Sequence, residues 1–332
     1  MITESSFTYS NATKKGGAIN VEGDNVNITN SNFTTVSVDS PSSQGGAIHV
    51  GGKDVDIINC RFNRTRAFNG NGGAIHVSGA NANITDSTFE LGSAKEGGAI
   101  YITGVNATVD HSSFKNNTAV SSNNQTGGGT IYLLGADATV SYSNFTVSHA
   151  RTGGIIFIKG DRANITHSNF NMSMAETTGG AVYVAGVNAT IDTSSFQNHN
   201  AHEGGAVFIA GSNTNVQDNK LGPHTYIYNS TFKDNSAFTG GAIYNAGGTA
   251  VVEKSNFTSN IAKTDDDSAA HGGAILWNGG SNFDAIINCY FEDNKAMNLN
   301  GHHFACGGAI YWSRGPTSTK NAKIVNSTFY NN

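Results

Sequence analysis

Hydrophobic and polar residues alternate in short runs along the whole chain, and these runs recur at regular intervals. After each of eleven Gly-Gly pairs, every second position is aliphatic, as in Ile75 and Val77 or Ile100 and Ile102. A second alternating run follows, and a third carries a Phe two residues after a Ser or Cys. Alternation with a period of two, without helical spacing, predicts three short β-strands in each repeat.

The repeats are constant in one half and variable in the other. The Gly-Gly pairs begin at Gly16, Gly45, Gly72, Gly97, Gly128, Gly153, Gly179, Gly204, Gly240, Gly272 and Gly307. The Phe follows 17 residues after the first Gly in eight of the eleven repeats, whereas the distance from the Phe to the next pair varies. Such a pattern is typical of a solenoid with a continuous core and variable surface loops. We therefore predict an all-β fold, a single-stranded right-handed parallel β-helix of about 11 coils of 25–36 residues with three short strands per coil.

The repeat extends over residues 1–332, which predicts a single β-helix domain. The variable halves predict long loops at 114–128, 211–229, 257–272 and 291–307. Neither terminal repeat resembles a polar cap, so we expect the domain to be a segment of a longer surface protein.

Composition excludes several classes of function. The chain has 24 acidic and 19 basic residues, and only 13% of its residues are charged. It lacks the basic stripe that binding to nucleic acid requires. Eighteen Phe and eleven Tyr are enough for a core and argue against disorder. The Gly-Gly pairs do not have the spacing of nucleotide-binding loops, and we predict no cofactor.

Two motifs resemble a known family. Gly-Gly-Ala-Ile recurs together with Phe-x-x-Asn, which is complete at Phe114–Asn117, Phe232–Asn235, Phe257–Asn260 and Phe291–Asn294. The chain thus resembles the chlamydial polymorphic outer membrane proteins and, in its Asn- and Thr-rich character, the adhesin-like surface proteins of methanogenic archaea. The resemblance implies an extracellular β-helix on a cell surface that serves attachment and has no catalytic residues at these motifs. Its expected partners are glycans or proteins of a host or neighbouring cell surface, without membrane insertion of this segment, and end-to-end or lateral homo-assembly stays open.

An aromatic row is the candidate binding surface. The residue between the two aliphatic positions of each Gly-Gly strand is expected to face outward, because its neighbours face the core. Small residues two positions earlier, mostly Ala, would leave a flat apolar strip beside it. The row either stiffens the sheet by stacking or contacts sugar faces or a neighbouring rod. The candidate binding residues are Tyr101, Tyr132, Phe157, Tyr183, Phe208, Tyr244 and Tyr311.

Asn-x-Ser/Thr sequences occur fifteen times. In an extracellular protein they are potential N-glycosylation sites. The alternative is that Asn and Thr are simply favoured in turns and outward positions. The glycosylation candidates are Asn27, Asn83, Asn106, Asn144, Asn164, Asn188 and Asn256.

A row of Ser two residues before each Phe is expected to face inward. Cys60 and Cys289 replace Ser in this row, eight coils apart, too far for a disulfide. A free Cys suits such a slot as a small apolar residue. Whether Cys289 and Cys306 pair stays open.

Two clusters have metal-ligand chemistry. Asp265–Asp267 is a carboxylate run of the kind that binds Ca²⁺, and His302, His303 and Cys306 lie one coil from His271. A solvated acidic loop is the favoured interpretation of the first cluster, and histidines confined to one coil are a weak zinc signal. We predict no metal site.

These observations predict a non-catalytic cell-surface adhesin or structural stalk that binds a glycan or a neighbouring surface through the aromatic row. One alternative is a polysaccharide-degrading β-helix enzyme, which needs clustered carboxylates on one outer sheet. The other is a self-assembling filament or wall component.

Overall fold

The computed structural model describes residues 1–120, 127–210, 224–247, 249–265, 268–278, 284–301, 304–313 and 323–332. These residues form strands and turns, with no helix among them. The chain divides into two compact units, Met1–Asn169 and Phe170–Asn332. Each unit is a parallel β-solenoid, which confirms the predicted fold class. Together the units supply about nine turns, slightly fewer than the eleven coils expected.

Three parallel sheets build the first unit. The Gly-Gly sheet contains Ile19–Val21, Ile48–Val50, Ile75–Val77, Ile100–Ile102, Ile131–Leu133 and Ile156–Ile158. The second sheet contains Ile2–Thr3, Val26–Thr29, Val55–Ile58, Ala82–Thr85, Thr108–Asp110, Thr139–Ser141 and Asn164–Thr166. The Phe sheet contains Ser6–Thr8, Asn32–Thr34, Arg61–Asn63, Thr88–Glu90, Ser113–Ala119 and Asn144–Thr152.

The same three sheets recur in the second unit. Its Gly-Gly sheet contains Val182–Val184, Val207–Ile209, Ile243–Asn245, Ile275–Asn278 and Ile310–Ser313. Its second sheet contains Thr190–Asp192, His224–Tyr228, Thr249–Glu253, Ala285–Ile287 and Lys323–Val325. Its Phe sheet contains Asn169–Thr178, which begins one residue before the unit, and Ser195–Gln197, Thr231–Lys233, Asn256–Thr258, Tyr290–Glu292 and Thr328–Tyr330.

Short return strands lie between the Phe sheet and the next Gly-Gly pair. In the first unit they are Asn11–Ala12, Ser37–Asp39, Arg66–Phe68 and Ser93–Ala94. In the second unit they are Ser236–Ala237, Ile261–Thr264, Ala270–His271, Lys295–Asn298 and Ala305–Cys306. Strands therefore occur inside segments for which the sequence predicts long loops, such as 257–272.

The core consists of identical residues stacked in register. Phe62 pairs with Phe89 on the next coil, and their parallel rings have centroids 4.7 Å apart. Phe232 and Phe257 stack in the same way at 4.8 Å, and all four rings are fully buried. A strand of three residues is too short to be stable alone, so each depends on the equivalent strand one coil away.

The Gly-Gly pair forms a tight corner, as predicted. Gly72 has a φ of +72°, the left-handed region that disfavours a side chain. At Gly73 a Cβ would lie 1.9 Å from the carbonyl oxygen of Gly98 on the next coil. The first Gly is therefore required by the backbone conformation and the second by close packing between coils.

The inward row of Ser is also confirmed. The backbone N–H of Ser87 donates to Oγ of Ser112 on the next coil at 3.1 Å, while Ser87 Oγ donates to the carbonyl of Thr85 at 2.8 Å. The first bond links adjacent coils, the second lies within one coil, and both satisfy buried polar groups.

The Asn of the Phe-x-x-Asn motif has a structural role. Asn260 is fully buried, and its Nδ2 donates to the carbonyl of Phe232 at 2.9 Å. Its Oδ1 accepts from the backbone N–H of Asn235 at 3.1 Å. The Asn260 side chain thus provides hydrogen-bond partners for one backbone N–H and one backbone carbonyl of the neighbouring coil, where the strand that carries the Phe ends.

Candidate functional site

The aromatic row of the first unit is a continuous stack. Tyr101 pairs with Tyr132, and Tyr132 with Phe157, in strict register. Their ring centroids are 4.9 and 4.8 Å apart. His49 and His76 continue the stack with centroid separations of 5.2 Å between themselves and 5.1 Å to Tyr101. Each ring face is therefore covered by the ring of the next coil.

This stacking leaves little of the row open to solvent. The exposed fraction is 8% for Tyr101 and 4% for Tyr132. The expectation of an exposed apolar strip is therefore wrong, because neighbouring rings cover each other. A sugar that stacks on an aromatic side chain needs a free ring face, so the geometry favours the stiffening role. Binding through this row stays a prediction.

The small residues beside the row also lie elsewhere than expected. The backbone N–H groups of Ala18 and Ile19 both donate to the carbonyl of Ala47, at 3.0 Å each, and the same arrangement recurs in later coils. In a regular strand, consecutive backbone N–H groups point to opposite sides. Because both N–H groups here point to the same carbonyl, the inward–outward alternation of side chains is interrupted, and the small residues do not share a face with the rings. Thr130, which replaces Ala in this position, is fully buried and 2.7 Å from the buried Ser148 hydroxyl.

In the second unit the row is less regular. Tyr183 and Phe208 stack with centroids 5.2 Å apart, but Phe208 and Tyr244 are perpendicular. Leu276 then interrupts the aromatic series, and Tyr311 lies 4.3 Å from the ring of His271. Phe208, Tyr244 and Leu276 form a hydrophobic cluster of their own, joined by Tyr183, Ala210, Ala246 and Tyr311.

Burial perturbs the titratable groups of the row. Burial, reinforced by Glu96, raises the pKa of Tyr101 to about 12, and burial raises the pKa of the Glu96 carboxyl. Burial, with a contribution from Lys15, lowers the pKa of His49 to about 4. The pKa of His76 falls to about 3 for the same reason, aided by His49. Both histidines are therefore neutral at physiological pH.

The glycosylation candidates fall into two groups by exposure. Four of them are exposed: Asn106, Asn144, Asn188 and Asn256. The other three are half-buried: Asn27, Asn83 and Asn164. Asn83 donates through Nδ2 to Asp56 at 3.0 Å, so its amide already participates in a row along the second sheet. Glycosylation at these seven positions stays a prediction.

All three cysteines are unpaired. Cys289 is buried in the Ser row, where Sγ lies 3.3 Å from the carbonyl of Ile287, and Cys306 is half-buried. The disulfide between them, which the sequence left open, is therefore not formed. Cys60 occupies the equivalent slot in the first unit, with Sγ 3.4 Å from the carbonyl of Ile58.

The metal-ligand candidates are only partly visible. Asp266, Asp267, His302 and His303 lie outside the described residues, as does the segment 211–223 of the long insertion. Within the described part of the chain, no three His, Cys, Asp or Glu side chains come together in a way that would hold a metal ion.

A groove on the second unit is a feature that the sequence reasoning missed. It has a volume of about 600 Å³ and lies against the return strands. Apolar side chains in its lining include Met174, Phe238 and Leu299, of which Met174 is 46% and Leu299 61% exposed. The only hint in the sequence is the longer spacing of the Gly-Gly pairs from Gly204 onward, at 36, 32 and 35 residues.

The groove also has polar groups of both signs. Glu176, His202, Lys263 and Asp265 contribute to its lining. The His202 and Phe238 rings are perpendicular, with centroids 4.5 Å apart, and form a corner of the groove. A concave apolar surface with a few convergent polar groups is the usual composition of a small-molecule site.

An exposed aromatic stack at a turn of the first unit was likewise missed. His111, Tyr142 and His167 lie on three successive coils, with ring centroids 4.9 and 4.7 Å apart. Tyr142 is 54% exposed, and its φ is +45°. The residue directly before each member of the Ser row has a positive φ in every coil. This backbone conformation directs the three side chains away from the core.

Among the described residues, no helix has the length and apolar character needed to cross a membrane. No protein-family model, curated protein or solved structure matches the chain. Its function is therefore inferred from its own residues and geometry.

Proposed function

We propose that this chain is a non-catalytic adhesin or stalk of an extracellular cell surface. The observation that carries the proposal is the repetition of the same structural contacts in coil after coil. Stacked Phe rings and Ser hydroxyls join successive coils, and buried Asn amides add a bridge in the coils with a complete Phe-x-x-Asn motif. Scaffolds of this kind present extended repetitive surfaces to large partners.

The family resemblance supports the same proposal. Its two motifs, Gly-Gly-Ala-Ile and Phe-x-x-Asn, correspond to the corner at Gly72 and Gly73 and to the buried amide bridges of Asn117 and Asn260. The motifs are therefore requirements of the scaffold, and specific binding depends on residues outside them.

The groove of the second unit favours one alternative. Because Glu176 and Asp265 line the same concave surface, a polysaccharide-cleaving enzyme is the second candidate function. Glycoside hydrolysis requires a pair of carboxyl groups on either side of the scissile bond.

One experiment separates the two functions. Beads coated with the full chain are applied to a panel of immobilised cell-surface polysaccharides, and retention is measured together with the release of new reducing ends. An adhesin is retained without generating new ends. New reducing ends would establish catalysis, and failure to be retained on any surface would contradict adhesion.

A further inference from the structure

Four chemically different side chains from successive coils of the second unit line the groove. The return segments pair in parallel through Met174 with Asn200, Asn200 with Ser236, and Ser236 with Ile261. Two residues further along these segments, four residues of the groove lining follow one another on successive coils and form what we call the column: Glu176, His202, Phe238 and Lys263. Each step of the column is one inter-strand distance, ~4.8 Å.

The walls of the groove come from the longest return strands. Ile261–Thr264 pairs with Lys295–Asn298, and the backbone N–H of Leu299 donates to the carbonyl of Thr264 at 2.9 Å. The Asn300 amide donates to the backbone carbonyl of Asp265. These bonds hold Leu299 and Asp265 beside the column, so hydrogen bonds between strands fix the shape of the groove.

We propose that this groove binds a short uncharged oligosaccharide, extended across the coils along the Glu176–Lys263 column. The inference rests on the proposed adhesive function and names its ligand. A pyranose ring has an apolar face and a rim of hydroxyls, and it is comparable in length to one step of the column. Phe238, Met174 and Leu299 supply apolar contact area for such faces. Glu176 and Lys263 supply an acceptor and donors for hydroxyl groups.

The charge of the lining selects against anionic glycans. Among the described residues that line the groove, there are two carboxylates, Glu176 and Asp265, and one ammonium group, that of Lys263. A formally negative site repels uronic acids and sulfated sugars, whereas hydroxyl groups hydrogen-bond to carboxylates without a charge penalty.

The test is isothermal titration calorimetry, which measures the dissociation constant of the full chain for free trisaccharides. Uncharged trisaccharides built from glucose, mannose or N-acetylglucosamine are compared with trigalacturonate as the anionic probe. Binding of an uncharged trisaccharide, with trigalacturonate weaker, is the expected result. Absence of binding by all three uncharged probes, or preference for trigalacturonate, would overturn the proposal.

Variants locate the binding to the groove. Phe238→Ser, Lys263→Ala and Leu299→Ser should each weaken binding about tenfold or more. Tyr226→Ser is the matched control, because Tyr226 is an exposed ring on another sheet of the same unit and should leave binding unchanged. Phe238 is half-buried, so if its variant loses the β-sheet circular dichroism signal, the exposed Lys263 and Leu299 decide the outcome. Equal losses in the control and the groove variants would overturn the assignment.

The adhesion assay distinguishes failure of this inference from failure of the adhesive function. Retention on immobilised polysaccharide that survives all three groove variants overturns the groove assignment but leaves adhesion intact. Groove-dependent binding of a free trisaccharide, without retention on any surface, supports the groove and overturns the adhesive function.

Discussion

Ser173 and His199 are hydrogen-bonded inside the second unit, with 2.7 Å between Oγ and Nδ1. His199 holds the position that Asn occupies in the complete Phe-x-x-Asn motifs. Its Nε2 lies 3.1 Å from the carbonyl of Phe170, the equivalent of the bond that Asn235 makes to Phe196. Ser173 Oγ also lies 2.6 Å from the carbonyl of Gly180. The imidazole therefore replaces an amide in a buried bridge between coils.

Buried histidines should make the protein sensitive to acid. Burial lowers the pKa of His199 to about 3 and that of His49 to about 4, whereas an unfolded His titrates near ~6.5. Between these values the unfolded chain binds more protons, so stability is fully present above pH ~6.5 and is lost as pH falls toward the folded pKa. We expect the melting temperature to drop steadily between pH 6.5 and 4. A constant melting temperature over this range would contradict the prediction.

His199→Asn is the matched variant for this effect. An Asn amide can accept from the Ser173 backbone and donate to the Phe170 carbonyl, as Asn235 and Asn260 do in their own coils. The variant should therefore fold at pH 7 and show a smaller loss of melting temperature at pH 4 than the native chain. Equal acid sensitivity of both proteins would show that His199 does not contribute.

Asn260→Ala should destabilise the second unit by about 3 kcal/mol, because it leaves the Phe232 carbonyl and the Asn235 N–H buried without partners. Asn256→Ala, at an exposed position of the same coil, is the control and should change the free energy of unfolding by less than ~0.5 kcal/mol. Urea denaturation measures both. Similar values for the two variants would contradict a role for the buried amide.

Gly73→Ala should disrupt the corner of the first unit. The added Cβ would lie 1.9 Å from a backbone oxygen of the next coil, which moves only if the coils separate. We expect a loss of at least about 3 kcal/mol in urea denaturation or failure to fold. Gly23→Ala is the control, since nothing lies within 4 Å of a Cβ there, and it should be tolerated.

Thiol alkylation should distinguish the three cysteines. Burial raises the pKa of the Cys60 thiol and raises that of Cys289 to about 11, so neither forms a reactive thiolate at pH 8. Cys306 is half-buried and should react first. Mass spectrometry of the folded protein after iodoacetamide should show one modified residue, with full modification only in urea. A chain that resists alkylation at Cys306 until it is reduced would indicate a disulfide and contradict the structure.

Tyr132→Ser tests the role of the aromatic row. Because Tyr132 is stacked between Tyr101 and Phe157, its loss should cost about 3 kcal/mol of stability. Tyr142→Ser, at the exposed stack, should cost about 1 kcal/mol or less.

The triple variant of Tyr101, Tyr132 and Tyr183 to Ser separates stiffening from binding. Stiffening predicts a lower melting temperature, with retention on polysaccharide preserved below that temperature. Loss of retention with an unchanged melting temperature would instead establish the row as the contact surface.

Local sequence rules predicted the positions of the scaffold residues because each obeys a short-range constraint. Gly72 needs a positive φ, Phe89 follows at a fixed distance, and Ser87 shares the inward parity of that Phe. The expectation that Ala47 faces outward beside the aromatic row was wrong because of a contact between coils. The Ala47 carbonyl accepts two consecutive N–H groups from the neighbouring coil, a departure from strand alternation that the residue pattern does not reveal.

The repeat, the parallel solenoid and the residues that line its core follow from the amino-acid sequence, because the period of alternation and the spacing of Gly and Phe are properties of one coil. Which side chains are exposed, by contrast, depends on how the coils pack against one another. The rings of adjacent coils cover Tyr132 and shield it from solvent. The groove around Phe238 arises because the return strands differ in length. Both depend on contacts between residues 25 or more positions apart, and exposure is a property of such contacts rather than of a residue's place in its own strand.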